Sequence, residues 1–488
     1  MRCDPDDIAI VIVNWNRRDD LLVLLDSLYD AGYSNYDIIV IDNASTDDSV
    51  TALREKYPGV KLIQNAENLG GTGGFNTGLR YVLGCDYSFV WLLDNDAVAL
   101  PEALEALVDV MTSDSSIGLV GSKLLHPADT TLINEIGADI NPFTARPKPK
   151  HMNERDRQLP SVLDVDYVAV CSVLVRLSAV KRVGLMDEAY FLMWDDMEWG
   201  MRFGNAGYRV VAATKSCVTH PGFSERLPTS NFIYYATRNH FYFIAKTYTG
   251  LHRYFLIALL AGTVAYHNRR EQWMIGETST SKIRDAAEKD FWELAMRRTS
   301  RIFDDKKQPR RVMLLETAVE GATCVALSTS TSEPVVRSLV SRLKANGIKV
   351  MLFGRKRRQE VFSWFDGLGV WRRPSTFGYL QFLWQMWHHR CDATIVYYEE
   401  MVRLPMQFGH SVIRLNCNME VVSVTHAKPI ASIVSELALL WAAVLAFSIA
   451  FCRTLVLFGT KDTLRKVEQV VVMQKSTDYS EVGAIKKK

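Results

Sequence analysis

Short apolar runs that each end in polar residues recur through the first hundred positions of the chain and constrain its fold. Four runs have this form, at residues 8–13, 38–41, 60–63 and 89–93. Segments with helical spacing lie between them, at residues 19–28, 47–57 and 77–83. Alternating strands and helices predict a mostly parallel, doubly wound α/β sheet whose polar strand ends accumulate along one edge.

The strongest of these strand ends is Asp94-Asn95-Asp96, directly after a buried run. Open α/β sheets bind ligands at the carboxyl ends of their strands. Two carboxylates spaced two residues apart point the same way, as a divalent cation that bridges a diphosphate requires. The alternative is a turn that only caps the next helix, because Asp and Asn favour such positions.

A glycine-rich stretch lies between the third strand and the helix expected at residues 77–83. Residues 68–76 contain Gly70, Gly71, Gly73 and Gly74. Glycines let backbone N–H groups approach a phosphate or sugar, and a following helix start favours negative charge. A flexible loop without a ligand is the alternative. The stretch matches neither the P-loop nor the dinucleotide-binding pattern.

Acids crowd between aromatic residues at positions 191–199. Asp195 and Glu198 would share one helix face, and a buried Asp196 beside Trp194 would have the high proton affinity that a general base needs. An ordinary acidic helix start is the alternative. His220 is the last candidate of this half, although an isolated histidine is more often a packed or surface residue.

Composition limits the class of protein. The chain has 488 residues, is 48% hydrophobic and carries a net charge of +2, which argues against a dedicated nucleic-acid binder. Its eight cysteines form no Cys-x-x-Cys pair, which predicts a reduced, cytosolic environment. The N-terminus offers no apolar segment of the kind found in a signal peptide.

The sequence predicts five parts. Residues 1–250 form the first α/β domain, residues 251–310 a helical linker segment, and residues 311–430 a second, smaller α/β domain of unknown role. An apolar, membrane-associated helix is expected within residues 431–460, and a polar tail at residues 461–488. Residues 437–452 carry no charge, which is marginal for a membrane span of about 17 to 25 residues. A buried or re-entrant helix is the alternative.

Taken together, the ordered motifs over residues 8–244 resemble the inverting nucleotide-sugar transferases of glycosyltransferase family 2, which have the GT-A fold. The motifs are Val-Asn-Trp-Asn-Arg, Ile-Asp-Asn-Ala-Ser-Thr-Asp, Asn-Leu-Gly-Gly-Thr-Gly-Gly-Phe, Leu-Leu-Asp-Asn-Asp, Trp-Asp-Asp-Met-Glu and Thr-His-Pro. The glycine motif and Trp-Asp-Asp are most similar to the galactofuranosyl and rhamnosyl transferases that extend lipid-linked bacterial glycans.

The resemblance implies roles for individual residues. Asp196 matches the catalytic base, and Asp94, Asp96 and His220 would hold Mn²⁺ or Mg²⁺ on the donor diphosphate. Asn95 departs from the triple-acid motif of the galactofuranosyl enzymes. Asp42 would contact the nucleotide base or ribose. The full set expected to bind donor or acceptor is Asn14, Arg17, Asp42, Gly73, Gly74, Trp194, Asp195 and Glu198.

The expected activity is metal-dependent, inverting transfer of a sugar from UDP-galactofuranose or dTDP-rhamnose to a hydroxyl of a lipid-linked or glycan acceptor. It would serve cell-surface polysaccharide synthesis at the cytoplasmic face of the membrane. Retention through a covalent intermediate would require a nucleophile, for which Asp195 is the nearby candidate. The absence of a Gln-x-x-Arg-Trp motif favours addition of one or a few sugars.

Two other functions stay open at this point. A sugar nucleotidyltransferase would also use an acid pair at the sheet edge, but it would need a basic, glycine-rich loop after the first strand, where this chain has Asn14-Trp15-Asn16. A non-catalytic glycan-binding or scaffold protein would tolerate loss of Asp96 or Asp196. No nucleic-acid partner is expected, and assembly into a homo-oligomer is left open.

Overall fold

The structure is a computed structural model that describes most of the first half of the chain and parts of the second. The described segments are residues 8–30, 36–221, 229–275, 279–293, 315–328, 333–355, 362–372, 391–397, 411–415, 421–426 and 441–454, with single positions at 359, 381, 384 and 388. The polar tail predicted at residues 461–488 lies outside them.

Within the described residues of the first half there are twelve strands, ten of which form one sheet. The strands are β1 (Ile8–Asn14), β2 (Tyr36–Asp42), β3 (Lys61–Gln64), β4 (Phe89–Asp94), β5 (Val98–Ala99), β6 (Ile117–His126), β7 (Asp129–Glu135), β8 (Ala138–Asn141), β9 (Arg146–Pro149), β10 (Val162–Asp164), β11 (Ser172–Arg176) and β12 (Arg209–Thr219). Six helices accompany them, α1 (Arg18–Asp30), α2 (Ser49–Lys56), α3 (Gly70–Leu83), α4 (Ala103–Ser113), α5 (Leu177–Val183) and α6 (Asp195–Asn205).

The large sheet follows the order β10-β12-β6-β11-β4-β1-β2-β3, with β5 paired to β12 and β7 paired to β6. Strands β1 to β4 run parallel, as do β6 and β12, and β11 runs antiparallel between β4 and β6. Strands β8 and β9 form a separate two-stranded sheet. The expectation of a mostly parallel α/β sheet is confirmed.

Helices cover both faces of the sheet, which explains why β1 is apolar along its whole length. Ile8, Ile10 and Ile12 pack in the same core as the leucines of α1, whereas the alternate residues Ala9 and Val11 pack in the core that includes α3. Because successive strand residues point to opposite faces, a continuous apolar run is what a strand buried on both sides requires.

Three helices follow the sheet and build a further core. They are α7 (Ser230–Thr247), α8 (Gly250–Ile275) and α9 (Ser279–Trp292). The hydroxyl of Thr229 caps α7 by accepting a 3.1 Å hydrogen bond from the Phe232 N–H. Helical structure therefore begins about twenty residues before the boundary expected at residue 250. Tyr190, Trp194 and Met197, which lie around the start of α6, pack into this helical core.

A second sheet lies in the C-terminal half and has its own hydrophobic core. Its elements are α10 (Leu315–Ala318), β13 (Cys324–Ser328), α11 (Glu333–Ala345), β14 (Lys349–Arg355), β15 (Gly369–Arg372), β16 (Ala393–Tyr397), β17 (Ser411–Leu415) and β18 (Val421–His426). The strand order is β15-β14-β13-β16-β17-β18, with all neighbours parallel except β17 and β18. A second α/β unit is therefore present.

Residues 441–454 form a helix that rests on α8. Phe447 and Phe451 pack into the helical core, and a Cβ at Gly262 would lie 3.0 Å from the Ala443 carbonyl oxygen. Among the described residues, no helix combines the length and apolarity that crossing a bilayer requires. The remaining parts of the apolar segment expected at residues 431–460 lie outside the described residues.

Candidate active site

Asp94, Asp96 and His220 come together at the carboxyl edge of the large sheet. Asp94 ends β4, Asp96 follows in the turn, and His220 follows the last residue of β12. The short strand β5 pairs with the end of β12 through Val98 and Thr219, which brings the histidine alongside the acidic turn. Residues that are more than a hundred positions apart in sequence are thus held together by strand pairing.

The three side chains have the spacing of a cation site. Nε2 of His220 lies 3.1 Å from Oδ1 of Asp96 and 3.8 Å from Oδ2 of Asp94. One ligand atom from each residue lies within 4.8 Å of the other two, and all three residues are partly buried. Two carboxylate oxygens and one imidazole nitrogen suit a divalent cation such as Mn²⁺ or Mg²⁺, so the residues present fit the metal that the family resemblance implies.

The middle residue of the turn, Asn95, has a hydrogen-bonding role. Its Nδ2 donates a 2.8 Å bond to Oδ1 of Asn14, and Nδ2 of Asn14 donates a 3.4 Å bond to Oγ of Ser45. An ionised acid at position 95 would have no hydrogen to donate. Asn14 is 0% exposed and supports the turn through this bond, and its contact with a donor stays a prediction.

Asp42 carries a buried acceptor atom that the protein leaves unpaired. One carboxylate oxygen, Oδ2, accepts a 3.1 Å hydrogen bond from the Ser45 N–H. The other, Oδ1, is buried and has no hydrogen-bond partner within the part of the chain that the structure describes. Buried acceptors without a partner are rare because the loss of hydration is costly. A ligand N–H or O–H would satisfy this atom.

Arg17 lies at the surface near the same strand ends. Its guanidinium forms a 2.9 Å ion pair with Asp20, and both side chains are about half exposed. The arginine is therefore accessible, and its contact with a donor stays a prediction.

The glycine-rich segment is the start of a helix and not the expected loop. Helix α3 begins at Gly70, seven residues before the predicted start. A Cβ at Gly73 would lie 2.5 Å from Cβ of Leu69, and a Cβ at Gly74 would lie 2.5 Å from Cγ1 of Val13. Gly74 therefore allows α3 to pack closely on β1, whereas Gly73 makes room for the Leu69 side chain. Direct contact of Gly73 and Gly74 with a donor stays a prediction.

Asp195 and Asp196 form the first turn of α6 and are partly buried. Thr72 Oγ1 donates a 2.6 Å hydrogen bond to Oδ2 of Asp195, and the Met197 N–H donates a 2.8 Å bond to Oδ1 of Asp196. Burial raises the pKa of Asp195, although the Thr72 bond opposes this change.

The pKa of Asp196 is raised further, to well above its usual range. Burial is the largest cause, followed by the negative charges of Asp195 and Glu135, with a smaller contribution from Asp94. The cation-binding group and Asp196 are therefore within electrostatic reach of each other. A carboxylate with a raised proton affinity is suited to accept a proton from an attacking hydroxyl.

Two residues expected to bind donor or acceptor, Glu198 and Trp194, are buried and have partners within the protein. Glu198 is 2% exposed, and its carboxylate contacts Nε of Arg202 at 2.8 Å and Nζ of Lys246 at 2.9 Å. Trp194 is buried, stacks on His240 at 4.1 Å between ring centroids, and donates a 3.0 Å hydrogen bond to the Ala236 carbonyl. Neither side chain offers a free surface to a sugar.

Sequence analysis missed Glu135, a partly buried acid at the end of β7. The hydroxyl of Tyr167 donates a 3.0 Å hydrogen bond to its Oε1, and burial raises the pKa of Glu135. His220 and Asp196 both interact electrostatically with it. Nothing in the local sequence distinguishes this residue, because the β6–β7 pairing brings it to the site.

Comparison with known proteins agrees with this geometry. Residues 9–174 match the sequence model of glycosyl transferase family 2. An N-acetylglucosaminyl-diphospho-decaprenol L-rhamnosyltransferase of Mycobacterium tuberculosis is 27% identical over 233 residues, which cover 44% of this chain and 76% of that protein. A galactofuranosyltransferase of Mycolicibacterium smegmatis is 22% identical over 315 residues, which cover 58% of this chain and 47% of that protein.

Two solved structures to which this chain is similar align with it at low identity. A mannosyltransferase of Pyrobaculum calidifontis in complex with GDP-Man and Mn²⁺ aligns with a TM-score of 0.37 at 16% identity, over 60% of this chain and 76% of the other. S. aureus TarS in complex with UDP aligns with a TM-score of 0.41 at 15% identity, over 59% and 80%. These scores are too low to carry an argument about the site.

The match of residues 9–174 to the family model, together with the similarity to these transferases, identifies the protein as a glycosyltransferase. Residues 9–174 carry a glycosyl transferase family 2 domain, and the proteins similar to this chain include rhamnosyl and galactofuranosyl transferases of mycobacteria.

Proposed function

We propose that this protein transfers a sugar from a nucleotide-sugar donor to a hydroxyl group, with a divalent cation and with inversion at the anomeric carbon. The observation that carries the proposal is the grouping of Asp94, Asp96 and His220, in which the charge of Asp94 contributes to the raised pKa of Asp196. One cation site and one base are the parts that a single displacement requires.

Asp94, Asp96 and His220 would hold Mn²⁺ or Mg²⁺ against the donor diphosphate. When bound, the cation would offset the negative charge that develops on the leaving group. The protein contributes the ligand geometry, which Asn95 maintains through its hydrogen bond to Asn14.

Asp196 would act as the general base. The acceptor oxygen forms a bond to the anomeric carbon while the bond from that carbon to the diphosphate oxygen breaks, and the hydroxyl proton moves to the Asp196 carboxylate. The raised pKa of Asp196 lies closer to neutral pH than that of an ordinary aspartate, and a general base is most effective when its pKa is near the working pH. The negative charge of Glu135 contributes to the raised pKa of Asp196, so we count Glu135 as part of the same site.

The nucleotide would bind beside Asp42. The unpaired Oδ1 of this residue would accept a hydrogen bond from the base or the ribose. The exposed Arg17 near the same strand ends would contact the anionic part of the donor.

The donors we favour are UDP-galactofuranose and dTDP-rhamnose, and the acceptor is a lipid-linked or glycan hydroxyl in cell-surface polysaccharide synthesis. The similarity to an L-rhamnosyltransferase that acts on a decaprenol-linked sugar, and to galactofuranosyltransferases, supports this choice. Homo-oligomer formation is left to measurement.

We place the site of action at the cytoplasmic face of a membrane. The helix at residues 441–454 and the start of α8 carry exposed apolar side chains, namely Trp441, Val444, Leu445, Ile449, Leu251 and Phe255. Trp441, for example, is 73% exposed. The Phe255 and Phe447 rings lie 6.0 Å apart, so the two helices meet at this patch. Contiguous exposed apolar surface is typical of membrane or protein contact.

The test measures transfer and hydrolysis with UDP-galactofuranose, dTDP-rhamnose, UDP-glucose and UDP-galactose, with Mn²⁺ or EDTA, and a lipid-linked acceptor extract. We expect cation-dependent turnover of one donor and a loss of about 100-fold or more in Asp196→Asn. Asp109→Asn, at an exposed acid of α4, is the matched control and should retain full activity.

Three outcomes would contradict the proposal. If EDTA leaves turnover unchanged, the reaction does not depend on a divalent cation. Absence of both turnover and nucleotide binding in the wild type would favour a glycan-binding or scaffold protein. Release of pyrophosphate from a nucleoside triphosphate and a sugar phosphate would favour a nucleotidyltransferase.

A further inference from the structure

The segment that leads into the acidic turn of α6 has an unusual backbone. Phe191, Met193 and Trp194 have φ angles of 63°, 69° and 71°, in the left-handed region that residues with a side chain rarely adopt. Trp194 directly precedes Asp195 and Asp196. Three such residues in four positions persist only when surrounding contacts hold them.

Asn239 of α7 supplies a large share of those contacts. It is fully buried, and its Nδ2 lies 2.8 Å from the Tyr190 carbonyl oxygen, 2.7 Å from that of Leu192 and 2.9 Å from that of Met193. A single amide group therefore gathers three carbonyl groups of the segment. Such an arrangement fixes the path of the backbone more tightly than packing alone.

Arg238 orients this amide and adds bonds of its own. Its Nε donates a 2.9 Å hydrogen bond to Oδ1 of Asn239, which turns the amide nitrogen toward the segment. Its NH2 group lies 2.6 Å from the Ala189 carbonyl oxygen and 3.2 Å from that of Tyr190. The guanidinium also lies 4.8 Å from the centre of the Tyr235 ring.

Helix α3 holds the segment from the other side. The Thr72 N–H donates a 3.3 Å hydrogen bond to the Phe191 carbonyl, and the Thr72 hydroxyl donates to Asp195. A Cβ at Gly70 would lie 2.1 Å from the Phe191 carbonyl oxygen, so glycine is required there. The segment is thus fixed between the first turn of α3 and the middle of α7.

We propose that Asn239 is a positioning residue for the transfer reaction, which acts with Arg238 by holding the segment 190–194, with its left-handed residues at 191, 193 and 194, and so orients Asp196 for the reaction. The inference rests on the proposed function of Asp196. Asn239 contacts neither the cation ligands nor Asp42 through any hydrogen bond that the structure describes. Loss of its amide should therefore affect the chemical step and leave donor binding in place.

The test compares Asn239→Ala and Asn239→Asp in the full-length protein. The second variant keeps the size of the side chain but replaces the donor with a carboxylate that would repel the three carbonyl groups. We expect kcat to fall on the order of 100-fold in both, because a displacement of about 1 Å has that effect on a reacting group. The donor KM and the affinity for UDP with Mn²⁺ should change less than about threefold, as expected for a residue that acts in the transition state.

A matched control tests whether any buried asparagine of the helical core has the same effect. Asn268 of α8 is also buried, and its Nδ2 donates a 2.6 Å hydrogen bond to Asp285. Asn268→Ala should lower thermal stability as Asn239→Ala does and leave kcat unchanged. Equal loss of kcat in both variants would overturn the proposal.

A second-site change separates backbone positioning from packing. Met193→Gly removes the steric cost of the left-handed backbone at one position. In the Asn239→Ala background it should recover at least part of the lost kcat, on the order of threefold or more. Absence of recovery, or full kcat in folded Asn239→Ala, would overturn the inference.

One further variant and one measurement on the wild type complete the test. If Asn239→Ala does not fold, Arg238→Lys keeps the positive charge but removes the guanidinium that orients the amide and contacts the Ala189 and Tyr190 carbonyl groups, and it should give a smaller loss of kcat at unchanged nucleotide affinity. Unchanged kcat in folded Arg238→Lys would then overturn the inference. An inactive wild type that binds no nucleotide would instead count against the proposed function.

Discussion

The hydroxyl of Thr72 donates a 2.6 Å hydrogen bond to the carboxylate of Asp195, and this bond joins the first turn of α3 to the first turn of α6. The two residues are 123 positions apart. Thr72 is completely buried, so water cannot replace its hydroxyl. The bond therefore links the glycine-rich helix start to the acid that precedes the proposed base.

Thr72→Val should lower kcat by about tenfold, because it removes the side-chain hydrogen bond of the partly buried Asp195 carboxyl group next to Asp196. The valine keeps the shape of the side chain, so the fold should survive. Thr72→Ser keeps the hydroxyl and should retain most of the activity. Steady-state transfer rates for the two variants check this, and equal losses would contradict a role for the hydrogen bond.

The rate of transfer should rise with pH through the raised pKa of Asp196, because only the ionised carboxylate accepts a proton. The negative charge of Asp195 contributes to that raised pKa, second to burial. Asp195→Asn should therefore move the acidic limb of the profile of kcat/KM to lower pH. Profiles of the wild type and the variant with Mn²⁺ check the direction, and a shift to higher pH would contradict it.

Binding of Mn²⁺ should depend on each of the three grouped side chains. Asp96→Asn and His220→Ala each remove a ligand and should weaken Mn²⁺ binding by at least about tenfold, as metal sites commonly respond to loss of a supporting group. Titration by electron paramagnetic resonance in the presence of UDP measures this without any turnover. Asp109→Asn serves again as the control. Wild-type affinity in His220→Ala would exclude the histidine as a ligand.

A buried ion network beside the site should dominate the acid stability of this half of the protein. Nζ of Lys246 lies 2.6 Å from Asp187 and 2.9 Å from Glu198, and the Tyr242 hydroxyl donates a 2.6 Å bond to Asp187. Burial opposes ionisation of Asp187, but Lys246 and these hydrogen bonds outweigh it and lower the pKa of Asp187 to about 2.

Because the pKa of Asp187 is lower in the folded than in the unfolded protein, its stabilising contribution is present above about pH 4 and is lost as pH falls through about 2. Lys246→Met should reduce the free energy of unfolding by about 3–5 kcal/mol at neutral pH, and by less near pH 2. Urea unfolding across this range checks it. Lys215→Met, at an exposed position, should change little at any pH. A loss that is independent of pH would contradict the assigned role of Asp187.

The strand ends were predictable from the sequence because one local rule fixes them. A short apolar run followed by Asp42 or by Asp94 indicates a buried strand and its carboxyl end without knowledge of distant residues. The motif resemblance also predicted that His220 lies next to the acidic turn. The pairing of β5 with β12, which actually holds the histidine there, has no such local signal.

The failures of prediction share a physical cause. Helical spacing predicted a common face for Asp195 and Glu198. It contains no information about Arg202 and Lys246, which contact the buried carboxylate of Glu198. Glycines at positions 73 and 74 suit both a ligand loop and a tightly packed helix, and only the approach of Val13 distinguishes these cases. Likewise, Asn239 reaches carbonyl groups more than forty residues away, and backbone acceptors leave no pattern in a sequence.

The substitution of an amide for an acid at Asn95 has a consequence for the order in which the ternary complex assembles. The protein offers the cation two carboxylates and a neutral imidazole, so two negative charges face it. A sugar diphosphate brings the further oxygen ligands and charge that a hard cation prefers. Cation and donor should therefore bind cooperatively, and by thermodynamic reciprocity each raises the affinity for the other equally. Cation and donor would then each bind weakly alone and more tightly together.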